Sequence, residues 1–178
     1  MSESDAPQDK AKTEAGEALV APVQFLGQYI KDLSFEVPHA PDIYNLLRQK
    51  DPDIPISLHT SVQHVNAGVF EVTLNVHLEA VAGDKTAFIL ELAYGCIVEI
   101  NQQALPEEQV HPFLHIEVAR QLYPFVRQIV GDMTVGGGFP PLLLQIVDFN
   151  EIYRKKFANA GNPTAPGAAA APQPATSH

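Results

Sequence analysis

Two histidines four residues apart have the spacing of paired metal ligands. His111 and His115 would share one face of a predicted helix, but the glutamate that follows the first histidine in zinc proteases is missing. His59, His64 and His77 lie on predicted strands with no acidic or thiolate partner at ligand spacing. We therefore expect polar surface or interface histidines and no metal site.

The sequence offers neither an activated nucleophile nor a phosphate-binding loop. Cys96 lies on the apolar side of a predicted strand, where cysteine is usually a small buried hydrophobic residue. There is no Gly-x-Ser-x-Gly motif, and Gly136–Gly138 is followed by Phe139 and two prolines, without the Lys-Ser/Thr of a phosphate loop. We interpret the glycine run as a flexible hinge between helices. The sequence predicts no catalytic residues, no cofactor and no enzymatic activity.

Composition and charge narrow the class of partner. Of 178 residues, 46% are hydrophobic and 18% are charged, which suits one packed domain. The net charge of −10 disfavours binding to nucleic acids and to anionic membranes. No apolar stretch is long enough to cross a membrane, the acidic N-terminus is unlike a secretory signal, and one cysteine fits a reducing compartment. We expect a cytoplasmic protein without direct membrane insertion.

The chain is expected to consist of one domain with two tails. Residues 1–22 are rich in charged residues, alanine and serine, which predicts a disordered acidic N-terminal tail. Residues 162–178 are rich in alanine and in prolines spaced too closely for a helix, which predicts a disordered C-terminal tail. The folded domain would then span residues 23–161.

Alternating apolar and polar residues predict four strands. They cover 23–37, 56–65, 69–82 and 86–100, and the short connections between the last three favour an antiparallel meander. The residues 37–55 form a long, partly apolar connection, interpreted as a crossover that covers part of the fold. The alternation of the first strand predicts one face with Phe25, Tyr29, Leu33 and Phe35, and an opposite face with Leu26, Ile30, Asp32, Ser34 and Glu36.

Two helices are predicted after the strands. Residues 107–130 are apolar on more than one side, and Pro124 is expected to kink the helix axis. A shorter helix at 149–160 is expected to begin after the N-cap residue Asp148. The predicted fold is α+β, a four-stranded antiparallel sheet with one long kinked helix and one shorter C-terminal helix. Because the sheet covers only one side of the long helix, we expect a second subunit to cover the other.

Several segments resemble one protein family. Residues 29–41 contain the pattern Tyr-x-Lys-Asp-x-Ser-Phe-Glu-x-Pro-x-Ala-Pro, which is similar to that of the SecB protein-export chaperones. Segments at 69–72, 86–91, 122–127 and 138–149 resemble further parts of the same family in the same order. Together they span nearly all of residues 23–160.

The resemblance implies a SecB-like fold assembled as a homotetramer, a dimer of dimers. It implies a cytoplasmic chaperone that binds unfolded precursor polypeptides, keeps them competent for translocation and delivers them to the SecA translocation ATPase. The SecA-binding site implied by the resemblance comprises Asp32, Glu36, Ile89 and Glu91, which strand periodicity places on the outward face of the sheet. The implied client-binding groove lies beneath the crossover and beside the second helix, and comprises Ile43, Tyr44, Leu46, Leu47, Ile54, Ile56, Leu58, Phe149, Ile152, Tyr153 and Phe157.

Two alternatives remain open from the residues alone. A small thioesterase-like α+β enzyme would use His111, Glu117 or Asp132 at a dimer interface, although such folds usually place the long helix before the main strands. A client-free oligomeric scaffold would bury apolar residues of the outward face, such as Ile89 and Ile97, in subunit contacts.

Overall fold

The computed structural model describes residues 21–101 and 103–158. Four strands form one antiparallel sheet in the order β1-β4-β3-β2. The strands are β1 (Val23–Glu36), β2 (Ile56–Asn66), β3 (Val69–Ala82) and β4 (Lys85–Ile100). The predicted meander of β2, β3 and β4 is confirmed. The two predicted tails lie outside the described residues, apart from Ala21 and Pro22.

The helices follow the sheet in the chain, except for the short α1 (Ile43–Leu46) in the crossover. A long helix consists of α2 (Glu107–Phe113), a π-helical segment (Leu114–Val118) and α3 (Ala119–Gly136), and α4 (Phe149–Ala158) comes last. The predicted α+β class is thereby confirmed. Among the described residues, no helix combines the length and apolar composition needed to cross a membrane.

The main core lies between the inner face of the sheet and the long helix. Alternate residues of β3 and β4, such as Val72, Leu74 and Leu92, are buried against Leu122 and Val126 of α3. Each aliphatic side chain buried in this way contributes about 2 kcal/mol of hydrophobic free energy. Because none of the described helices packs on the other face, the sheet has one buried face and one outer face, as the alternation predicted.

Strand β1 departs from the predicted alternation. Its pairing with β4 shifts by one residue at Leu26 and again at Lys31. Between these two bulges the faces are exchanged: Tyr29 pairs with Gly95 on the outer face, and Ile30 pairs with Tyr94 on the helix side. The predicted faces of Tyr29 and Ile30 are therefore wrong, because a single extra residue inverts every side chain that follows it.

The Tyr29 ring lies across β4 on the outer face. A Cβ atom added to Gly95 would lie 2.9 Å from Tyr29 Cε2, so the close approach of the ring requires a glycine there. The Tyr29 hydroxyl donates to Glu71 on β3, one strand further along the sheet. This contact ties the edge strand to the third strand of the sheet.

The crossover covers a second, smaller core. Ile43 of α1 packs with Phe88 and Phe139 at one end of the sheet, and the Phe88 and Phe139 rings are 4.8 Å apart. The Tyr44 hydroxyl donates to the carbonyl oxygen of Gly137 at 2.7 Å. The predicted covering role of the crossover is confirmed. The glycine run is better described as a packed turn than as a hinge, since a side chain at Gly137 would collide with the Phe35 ring.

The irregular part of the long helix lies before Pro124. The α-helix continues through Pro124, whereas the π-helical segment begins two residues after Pro112. At the start of α4, the Asp148 carboxylate accepts the backbone N–H of Asn150 at 2.9 Å, as expected of an N-cap. This hydrogen bond lowers the pKa of Asp148.

Replacing Gly95 tests the packing of Tyr29 over β4. Gly95→Ala should destabilise the protein by about 1–2 kcal/mol, because the new methyl group would displace the Tyr29 ring. Gly27→Ala in β1 is the matched control, since a Cβ there meets no atom within 4 Å. Urea denaturation at fixed protein concentration measures both, and equal midpoints in the two variants would contradict the packing described.

Candidate functional site

Apolar depressions lie along the β2 side of the domain. One of about 310 Å³ lies beneath the crossover and is bounded by Leu47, Ile54 and the Pro140–Leu142 segment. A second of about 330 Å³ lies beside α4 and is bounded by Ile56, Leu58 and Ile152, among others. Together these openings present aliphatic side chains without a deep enclosed cavity. Such a surface suits an extended apolar segment better than a small polar molecule.

The residues predicted for the client groove separate into four groups. Leu47, Ile54, Ile56, Leu58 and Ile152 bound the two depressions. Tyr44 and Leu46 are partly buried against the second core, and Tyr153 and Phe157 belong to an aromatic cluster between α4 and the long helix. Ile43 and Phe149 are 0% and 1% exposed. Their assignment to the groove is therefore corrected, since both are core residues with no surface to offer a ligand.

The segment between α3 and α4 adds exposed apolar residues that sequence reasoning missed. Leu143 and Ile146 are 66% and 91% exposed, while Leu144 between them is buried. The segment is held in place because the Leu142 N–H donates to Thr134 Oγ1 at 3.0 Å and the Tyr123 hydroxyl donates to the Gln145 carbonyl. The only signal in the sequence was the dense apolar run after the two prolines.

An aromatic cluster joins α4 to the long helix. His111 Nδ1 lies 2.9 Å from the Tyr153 hydroxyl, and the His111 and His115 rings both contact Phe157. His115 is buried and shares a 2.7 Å hydrogen bond with Thr60 of β2. Among the described residues, no group of three His, Cys, Asp or Glu side chains could hold a metal ion. The histidine pair therefore packs α4 against the body of the domain.

Lys156 of α4 also contacts this cluster. Its ammonium group donates to the Thr60 carbonyl oxygen at 2.6 Å. Burial, together with the smaller effects of the nearby His111 and Lys156, lowers the pKa of His115 to about 4. His115 is therefore neutral at physiological pH, which suits a packing role.

The outer face of the sheet carries the four residues predicted to bind SecA. In the β1–β4 register Glu36 pairs with Ile89, Asp32 with Ala93 and Ser34 with Glu91, which places all four on one face. Asp32, Glu36 and Glu91 are exposed and Ile89 is partly buried. Glu91 Oε1 lies 3.2 Å from His77 Nδ1 of β3. The arrangement offers carboxylates around an aliphatic side chain, which suits a basic partner with some apolar contact.

A model of the preprotein translocase subunit SecB family matches residues 17–160. The chain belongs to the SecB family. It is 52% identical over 131 residues to the protein-export protein SecB of Paramagnetospirillum magneticum, covering 74% of this chain and 83% of that protein. It is 44% identical over 151 residues to the protein-export protein SecB of Rhodospirillum rubrum, covering 85% of this chain and 92% of that protein. The family resemblance predicted from the sequence is confirmed, and the protein is an export chaperone of the SecB type.

The fold is also similar to that of a solved SecB-like protein. This is the Mycobacterium tuberculosis Rv1957 SecB-like chaperone, determined in complex with a ChAD peptide from the Rv1956 HigA1 antitoxin. The TM-score is 0.60 at 19% identity, over 71% of this chain and 91% of that one. At 19% identity, this structural similarity shows that the two proteins share a fold.

The neutral state of His115 predicts a pH dependence of stability. As pH falls from about 6.5 towards 4, the unfolded chain takes up a proton that the folded chain does not, so stability should fall by about 1 kcal/mol per pH unit. His115→Asn should flatten this slope, and the exposed His59→Asn should keep it. Urea midpoints at pH 7, 6 and 5 measure how stability changes with pH in each protein. If His115→Asn kept the pH dependence of the wild type, His115 would not be its source.

Proposed function

We propose that this SecB-family protein is a cytoplasmic homotetrameric chaperone that binds unfolded precursor polypeptides and delivers them to SecA, without catalysing a reaction. The observation that carries the proposal is the family match over residues 17–160. Two features of the structure support it. The exposed apolar surface along β2 suits an unfolded chain, and the acidic outer face of the sheet suits a basic partner.

Client binding would depend on several weak contacts at once. The surface along β2 is shallow and aliphatic, so each short segment would gain only a modest burial of apolar area. Four copies in one particle would let a single extended chain occupy several grooves, and effective concentration would then raise the total affinity. Folded proteins would not bind, because their apolar segments are already buried. The protein would therefore select its clients by whether they are folded or unfolded.

The proposed tetramer accounts for apolar surface elsewhere. Only one edge of β1 is paired within the described chain, since β1 is the outermost strand beside β4. Phe25 and Ile30 of this strand are exposed, as are Phe125 and Val135 of α3. Pairing of β1 strands and packing of the long helices between subunits would cover these residues.

The contacts of the candidate catalytic residues do not support a thioesterase. Glu117 forms a salt bridge with Arg120 at 2.7 Å, and His111 contacts Tyr153. Within the described residues, His111 and Glu117 form no hydrogen bond with each other, and both lie in the long helix. The proposed function therefore contains no catalytic step.

Polar substitutions in the groove test client binding. Leu47→Ser and Ile56→Ser, singly and combined, should weaken capture of a chemically unfolded, slow-folding polypeptide, by about fivefold for each kcal/mol of lost apolar contact. Val65→Ser, an exposed apolar position at the other end of β2, is the matched control. Light scattering during size exclusion measures the complex. A wild-type protein that leaves the polypeptide uncaptured would support the scaffold alternative, and an unchanged affinity in the combined variant would place the groove elsewhere.

Charge reversal on the outer face tests the SecA site. Asp32→Lys or Glu91→Lys should weaken SecA binding by about tenfold or more, because like charges repel a basic partner. Oligomer mass and client capture should not change. Glu108→Lys at the start of α2 makes the same charge change away from this face. Equal SecA affinities in all variants, measured by titration at physiological ionic strength, would remove the site assignment.

A further inference from the structure

Three side chains form a compact network on the outer face of the sheet. We call Tyr29, Lys31 and Glu71 the outer-face triad. The Tyr29 hydroxyl donates to Glu71 Oε1, and the Lys31 ammonium donates to Glu71 Oε2 at 2.7 Å. Both bonds start from β1, cross β4 and end on β3. Sequence reasoning assigned no role to Glu71.

The triad coincides with the second bulge of β1. The first bulge, at Leu26, exchanges the two faces of the strand. Without the extra residue at Lys31, this exchange would persist, and Asp32 would point towards the helices while Leu33 would point to solvent. The second bulge restores the order, so that Lys31 and Asp32 both reach the outer face and Leu33 returns to the core.

Glu71 is a mostly buried carboxylate. Its side chain is 10% exposed, against 43% for Lys31. The hydrogen bonds from Lys31 and then from Tyr29 lower the pKa of Glu71, so it is ionised, and the bond to Glu71 raises the pKa of Tyr29 to about 12. A buried carboxylate that loses these donors pays a desolvation cost. The carboxylate therefore favours the one β1 conformation that supplies both donors.

The triad also sets the charge of the docking face. Lys31 is adjacent in sequence to Asp32, on the outer face that also carries the exposed carboxylates of Glu36 and Glu91. Its ammonium group would attract those carboxylates and repel a basic partner if it were free. Because Glu71 pairs with it, the acidic residues remain unneutralised.

From this geometry we propose that Glu71 is a positioning residue for the acidic docking face: it fixes the bulge that turns Asp32 outward and neutralises Lys31. The inference rests on the proposed function, since it assumes that SecA binds this face. Glu71 acts through Tyr29 and Lys31.

Glu71→Gln tests the positioning role against the matched control Glu99→Gln, an exposed carboxylate on the outer face of β4. Both variants remove one negative charge. Only Glu71→Gln should speed amide hydrogen exchange at residues 29–32, and it should weaken SecA binding about fivefold more than the control, the factor that corresponds to about 1 kcal/mol. Tyr29→Phe, which keeps all charges, should show a smaller increase in exchange at the same residues.

A double variant separates positioning from charge. Glu71→Gln combined with Lys31→Gln should recover part of the SecA affinity, because the freed ammonium is gone, but should keep the fast exchange of β1. The inference would be overturned if Glu71→Gln and Glu99→Gln showed the same amide exchange at residues 29–32 and the same SecA affinity. If the wild-type protein fails to bind SecA, the proposed docking function falls, and the exchange measurements alone still decide whether Glu71 fixes the bulge.

Discussion

The structure depends on the burial of one face of an antiparallel sheet against one long helix. Strands β3 and β4 supply the inner layer and α3 supplies the cover, so the central strands carry most of the core. The helix covers only one face, and the edge strands β1 and β2 lie at the limits of that cover. The two candidate binding surfaces lie where this cover ends, one along β2 and one on the open face of the sheet.

The crossover and the segment after α3 convert the β2 side into an apolar groove. Both segments are anchored by buried aromatic residues and by hydrogen bonds from Tyr44 and Tyr123 to backbone carbonyls. Anchoring holds neighbouring aliphatic side chains, such as Leu47 and Ile146, at the surface without letting them collapse into the core. An apolar groove in water needs this support, because unsupported side chains would bury one another.

The fold was largely predictable from the sequence because its signals are local. The strict alternation of 69–82 and 86–100 located β3 and β4 closely, and Asp148 marked the start of α4. The register of the edge strand and the burial of individual side chains were less predictable. Two bulges in β1 exchanged the faces of Tyr29 and Ile30, and the sequence carries no clear signal for them. Ile43 and Phe149 were predicted to line the groove, but both side chains are buried in the core. The outward placement of Asp32 and Glu36 was predicted because the second bulge cancels the first.

The separation of the two surfaces has a mechanistic consequence. A client along β2 and a partner on the outer face would contact opposite sides of the same packed layer, so neither would displace the other. The outer-face triad spans β1, β4 and β3 on the open side, while the main core joins these strands from the helix side. A sheet held from both sides resists bending, so the acidic face would keep its geometry whether or not the groove is filled. Transfer of a client would then require a change outside this layer, and α4, which packs on the long helix through His111 and His115, is one described element that borders the groove and lies outside the sheet.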